Sequence, residues 1–489
     1  MKKDILYLCI CTVVCLLQSS CISQPVDSVE MFVTTADRTK DFAYAIIPFS
    51  DVASVEDNVP VVVIDSAVRY QQIDGFGAAI TGSAAYNLMR MTPDERSAFL
   101  YETFSSNMKM GYSYVRISIG CSDFSLSEYT CCDEEGIENF ALTDEETEYV
   151  IPVMREILSI NPSVKIMGSP WTCPRWMKIE NLENKKHFNS WTGGHLNPLY
   201  YNDYAAYFVK WIKAFEEAGI PIYAITPQNE PLNRGNSASL FMGWKEQSDF
   251  VGKALGPAIK AAGMRTKIYI FDHNYDYDKI EDQKSYPVRI YENENASSYV
   301  AGAAYHNYSG DREELNRIHD AYPDKELVFT ETSIGTWNDG RNLEKRLMRD
   351  MREIGLGTVN NWCRGVIVWN LMLDNERGPN REGGCRTCYG AVDIDKSDYS
   401  TIIRNSHYYV IGHLSSVVKP GAYRIASGGH KADGLVYGAF VNPDKSYAFV
   451  ALNDAAEERS FFVSDGECIF QCVLPPRSVA SCRWNRKNI

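Results

Sequence analysis

An alternation constrains this chain more than any other feature. Between about residue 74 and residue 373, eight short apolar segments take turns with segments of helical pattern. The strand candidates are residues 74–81, 112–120, 164–171, 222–227, 266–273, 300–308, 326–332 and 365–371. Stretches such as VKIMG, KIYIF and ELVF are apolar almost throughout, as parallel strands buried on both faces are. Between them, Thr92-Pro93-Asp94-Glu95 is a capping box with proline at the first helical position. Thr143 and Glu146 repeat the box, and Pro152 must kink or delay the helix that follows. Phe208, Trp211, Ile212 and Phe215 share one helical face that Gly219 closes. This order specifies an α/β protein with a (β/α)₈ barrel. An open nucleotide-binding sheet is disfavoured, because Gly75-Phe76-Gly77 lacks a third glycine in register.

The flanks read differently. PVVVIDSAV near the start and GLVYGAFV and SYAFVALN near the end alternate like strands. Neither flank is a comfortable domain alone, so both ends of the chain are expected to build one side β-sandwich. Residues 1–21, MKKDILYLCICTVVCLLQSSC, begin with Lys2 and Lys3, and their apolar run over residues 5–17 is too short to cross about 30 Å of hydrocarbon. Ser19 and Ser20 before Cys21 resemble a bacterial lipoprotein box; the alternative is simple secretion. The expected division is a signal peptide at 1–20, a tether at 21–30, sandwich at 31–73, catalytic barrel at 74–414 and sandwich again at 415–489. The chain is expected to be exported and held at a bacterial cell surface, or facing the periplasm, by a lipid on Cys21, its only membrane contact. In such a space Cys385-x-x-Cys388 reads as a loop staple, since no second half of a zinc site accompanies it.

Composition excludes some partners. With 49 basic and 63 acidic residues the net charge is −14, which argues against nucleic acid. An aromatic content of 12% suits sugar stacking, and equally a large core.

Barrel chemistry gathers where strands end. Here the ends carry Asp123, Trp171, Asn229-Glu230, Asp272-His273, His306 to Tyr308, Glu331 and Trp369. Glu230 and Glu331, after strands four and seven, face each other across the barrel mouth and suit glycoside hydrolysis with retention. The acid must keep its proton near neutral pH, which burial and a neighbouring negative charge favour. Arg116, pointing inward from strand two, is placed to keep the nucleophile ionised. Buried barrel glutamates also pair with arginine for structural reasons, but two at these strand ends beside Asn229 favour chemistry. Metal hydrolysis would need clustered ligands, and the eight histidines are scattered; His306 reads as a hydrogen-bonding support. No metal or cofactor is expected. A serine elbow is missing.

In QQIDGFGAAITGSAA, YSYVRISIGCSDFS, IMGSPWTCPRWMK, TPQNEP, FTETS and VIVWNL, from about Tyr70 onward, the chain resembles glycoside hydrolase family 30. That family includes glucosylceramidases and microbial β-1,6-glucanases. The resemblance implies a catalytic barrel with a side sandwich from both termini, Glu230 as acid/base and Glu331 as nucleophile. It further implies Asn229 on the sugar 2-hydroxyl, Asp123 and Trp171 on the sugar's other hydroxyls, and Tyr308 and Trp369 lining the pocket. Pro227-Gln228-Asn229-Glu230-Pro231 is closer to polysaccharide-cleaving members than to lysosomal ones, and the loop 374–389 differs from the lysosomal pattern. The expected activity is endo-cleavage of β-1,6-glucan. An exo-acting β-glucosidase, glucosylceramidase or xylan-cleaving enzyme is the alternative, and an inactive sugar-binding lipoprotein is a third reading. Oligomeric state has no signal in the sequence.

Overall fold

Eight parallel strands hydrogen-bond in chain order, and the eighth returns to the first to close a barrel. The computed structural model describes residues 28–51, 59–107 and 109–486. The barrel strands, numbered one to eight, are Gly75–Ala79, Tyr114–Ile119, Lys165–Pro170, Ala224–Ile225, Lys267–Asn274, Val300–His306, Glu326–Glu331 and Cys363–Val368. Each coincides with its predicted segment to within a few residues. Strand four is the shortest, because Pro227 has no N–H to extend its ladder.

The two-residue period of a strand stacks the interior in layers. Tyr114, Met167, Ala224, Tyr269, Ala304, Val328 and Ile367 form an apolar plug from strands two to eight. Two positions further along lie Arg116, Ser169, Thr226, His306, Thr330 and Trp369, all buried. The plug seals the barrel, and the polar layer above it becomes the floor of the strand-end cavity. Strand five breaks the period. Its register slips between Phe271 and His273, and Phe271 and Asp272 have φ of 73° and 68°. This bulge turns the Asp272 carboxylate toward Arg116.

The helices follow their signals. Thr92 caps Pro93–Phe104. At the second box the Glu146 carboxylate accepts from both the backbone N–H and the hydroxyl of Thr143. Pro152 is accommodated by a widened turn over Glu145–Val150, in which the Ile151 N–H bonds the Glu146 carbonyl. Helix Tyr201–Glu217 buries Phe208, Trp211, Ile212 and Phe215. Trp211 packs so closely on strand three that a Cβ at Gly168 would lie 2.8 Å from its ring.

Strands Ser28–Thr35, Ala43–Pro48 and Val61–Gln72 join six strands between Tyr423 and Trp484 in one nine-stranded sheet. Val29, Met31 and Val33 share a core with Phe461 and Phe470 although their strands are far apart in sheet order, so the sheet doubles over as a sandwich. The first strand starts at Ser28, so the last three residues of the expected tether belong to this sheet. Helix Ser406–Ser415 docks it on the barrel, with His413 hydrogen-bonded to Thr34 and Ser481. The expected signal peptide and Cys21 lie outside the described residues.

Candidate active site

Arg116 organises the strand-end cavity. Its side chain is fully buried, 4.9 Å from the Trp171 ring centre and 5.3 Å from that of Trp369. It donates to Glu331 at 2.5 Å, to Asn229 Oδ1 at 2.7 Å, to Asp272 at 2.8 Å and to Ser169 at 3.2 Å. Burial opposes the guanidinium charge, but Asp272 and Glu331 hold it on. Asp272 accepts from Arg116, His306, Thr226, Thr330 and Ser169. Burial alone would raise its pKa; Arg116 and His306 hold it well below the ordinary range.

The two predicted glutamates meet above this layer. Oxygens of Glu230 and Glu331 and a nitrogen of His306 lie within 4.8 Å of one another. Glu331 accepts from Arg116 and, at 2.9 Å, from the Tyr308 hydroxyl. Glu230 stands in left-handed backbone, φ 43°, and its Oε2 accepts from the Asn233 and Asn236 amides at 2.8 and 2.9 Å. Its Oε1 lies 3.3 Å from His306 Nδ1 and 3.9 Å from His273 Nε2.

Proton distribution departs from expectation. Burial was expected to leave the proton on Glu230. Burial does push that carboxyl up, but the His306 hydrogen bond, the charges of His273 and His306, and the Asn233 amide together hold it at about 2. Burial pushes Glu331 up, against His306 and Arg116. His306 pays a burial cost too, yet Glu331, Asp272 and Glu230 push it up to about 9. With Nε2–H donating to Asp272, one proton fills the gap between His306 Nδ1 and Glu230 Oε1, and the three surrounding carboxylates favour it on the histidine. Both His306 nitrogens are thus committed to carboxylates, and Glu331 carries a guanidinium. This cluster therefore suits proton movement better than a divalent ion.

The other predicted residues surround this centre. Asn229 spends its oxygen on Arg116, leaving its amide N–H groups to donate. Asp123, half-buried after strand two, has an Oδ1 without a hydrogen-bond partner. Burial first, then Glu331 and Glu230, push its carboxyl up to about 8. Trp171 and Trp369, each 2% exposed, stack on one another 5.0 Å apart. They wall the cavity without standing open as platforms. Tyr308 is 42% exposed. Sequence reasoning gave no role to Asp272, hidden by the bulge, or to Asn233 and Asn236, which follow the Asn-Glu-Pro motif closely enough to turn back on Glu230. It also passed over exposed Trp337, whose signal was its place in the loop after strand seven. Cys385 and Cys388 are bridged, and Arg381 in the same loop donates to the Ser122 and Ser237 carbonyls.

Comparison with known proteins matches both parts of the molecule. The family model described as the Glycosyl hydrolase family 30 TIM-barrel domain covers residues 73–418, and the corresponding beta sandwich domain covers residues 421–482. A solved structure of an endo-beta1,6-glucanase is 62% identical, with a TM-score of 0.92 over 94% of this chain and 99% of that one. An endo-1,6-beta-D-glucanase of Trichoderma harzianum is 32% identical over 80% of this chain and 79% of its own. The lysosomal acid glucosylceramidase of Mus musculus is 27% identical over 86% and 82%.

Proposed function

This chain belongs to glycoside hydrolase family 30, a retaining family, and from that premise we propose that it is an endo-acting β-1,6-glucanase whose nucleophile is Glu331 and whose acid/base is Glu230. One observation carries the mechanism: carboxyl oxygens on strands four and seven lie within 4.8 Å of each other. Retention needs carboxyls about 5–5.5 Å apart, whereas inversion needs about 6.5–9.5 Å to admit a water. The 62% identity to an endo-beta1,6-glucanase supports the linkage.

In the first step Glu331 forms a bond to the anomeric carbon while the glycosidic oxygen leaves with a proton from Glu230. Water then adds to the same carbon, giving its proton to Glu230 and freeing Glu331. Arg116 and the Tyr308 hydroxyl orient Glu331. The Asn229 amide donates to the 2-hydroxyl, a bond that strengthens as positive charge builds on the ring. Asp123 offers its unsatisfied oxygen to a sugar hydroxyl, and Trp171 and Trp369 shape the wall behind it. The proton given to the leaving oxygen is the one shared between Glu230 and His306. A 2-deoxy-2-fluoro β-glucosyl fluoride should leave a stable adduct on the peptide carrying Glu331, read by mass spectrometry. An adduct on Glu230 would reverse the roles, and no adduct would remove the covalent step.

The match to a glucosylceramidase supports a second reading, exo-cleavage of β-glucosides. We also place the enzyme outside the cytoplasm, tethered through a lipid on Cys21, on the strength of the basic start, short apolar run and Ser-Ser-Cys ending of residues 1–21. A radiolabelled fatty acid should be incorporated into the full chain and be lost in Cys21→Ala; unlabelled wild-type protein would contradict the tether.

A further inference from the structure

An endo-acting enzyme must hold sugar on both sides of the bond it cuts. Asp123, Trp171 and Trp369 follow strands two, three and eight, so a sugar held there occupies one side of the barrel mouth. A chain passing between Glu230 and Glu331 leaves over the loops of strands six and seven. A polar cavity of about 780 Å³ opens there, lined by Tyr308, Ser333, Trp337, Lys345 and Arg349 among others. Its volume is within the range of small-ligand sites. It begins at the nucleophile, because the Tyr308 hydroxyl touches both Glu331 and Ser333.

Trp337 is 53% exposed, the most open of the large aromatic side chains among the described residues. It is nonetheless held in place. A Cβ at Gly335 would lie 1.9 Å from its Cζ3, so the glycine makes room for the ring against the backbone. Ile334–Gly335 pairs antiparallel with Cys388–Tyr389, and the Thr336 N–H donates to the Thr387 carbonyl, tying this loop to the disulfide loop. A fixed indole beside a polar cavity with hydroxyl and cationic donors has the chemistry that binds a sugar ring: an apolar face to stack on and partners for its hydroxyls.

We propose that Trp337, seated on Gly335, is the platform of a glucosyl subsite on the leaving-group side of the cut bond, formed with Tyr308, Ser333 and Lys345. This rests on the endo-glucanase reading and adds the place where the departing chain is held. An aryl β-glucoside with a small leaving group does not reach the platform; a β-1,6-glucan does.

The test compares kcat/KM on β-1,6-glucan and on such an aryl glucoside, with melting temperatures measured in parallel. Trp337→Ala should lower the glucan value about ten-fold or more, mostly through KM, and the ratio of glucan to aryl-glucoside activity by a similar factor. Trp337→Phe should recover much of it. Trp337→Leu, which keeps apolar bulk without an aromatic face, should lower the same ratio; it gives the reading if Trp337→Ala does not fold. An unchanged ratio in folded variants of a wild-type enzyme that cleaves glucan would overturn the subsite alone. A wild type that leaves β-1,6-glucan intact while cleaving the aryl glucoside would overturn the endo-glucanase reading, and the subsite with it.

Discussion

His306 illustrates how single side chains set the chemistry. It faces Glu230 from strand four, Asp272 and His273 from strand five, Glu331 from strand seven at 4.0 Å and Tyr308 on its own strand end. Three carboxylates around one imidazole keep it charged up to about pH 9. If Glu230 is the acid, then below that pH the Glu230–His306 pair holds the proton that the leaving oxygen needs, and above it the pair loses that proton. The alkaline limb of kcat/KM is therefore expected near 9, and His306→Gln should move it to lower pH, where Glu230 alone must hold the proton. Activity at neutral pH should fall about 100-fold on glucan, and less on aryl glucosides whose leaving groups need no proton. An alkaline limb left in place by the substitution would remove His306 from the proton path. The stabilities run in opposite senses. Charged His306 contributes fully below its unfolded value of 6.5, and that contribution is lost as pH rises through about 9. Ionised Glu230 contributes above its unfolded 4.5, and that contribution is lost as pH falls through about 2. At this scale sequence reading located Arg116, Asn229, Glu230, His306 and Glu331, because strand ends and the two-residue period leave little freedom. It misjudged where the proton rests, since that depends on distances among side chains from four strands.

At the scale of elements, the contact between strand three and helix Tyr201–Glu217 shows what regular pattern can and cannot convey. The i, i+3, i+4, i+7 stripe announced the buried face, and Phe208, Trp211, Ile212 and Phe215 are all buried. The partner of Trp211, a bare Gly168, has no pattern to announce it. Trp211→Ala should cost about 3–5 kcal/mol, and Gly168→Ala about 1–3 kcal/mol by overpacking, in denaturant unfolding. A cost below about 1 kcal/mol for both would mean that this contact does not anchor the helix. Pro152 was legible as a disturbance, whereas its solution by a widened turn was not. The bulge in strand five is of the same kind: Lys267–Asn274 reads as a plain strand, and only the slipped register brings Asp272 inward.

The whole molecule joins a barrel with a polar strand-end mouth to a sandwich closed by both chain ends. That plan was legible from eight alternations and two strand-rich flanks, because neither flank could bury a core alone. The net charge of −14 suits a neutral sugar substrate and selects no linkage; what was not legible is how far the cleft extends, since loop conformation carries no periodic signal. If the carboxyl pair lies in a cleft open on both sides, the enzyme cuts within chains. The most direct measurement is the early product profile from β-1,6-glucan, resolved by size over time. A ladder of β-1,6-linked oligomers before glucose accumulates is the predicted result. Glucose alone from the first time point, with the polymer otherwise undiminished in length, would contradict it.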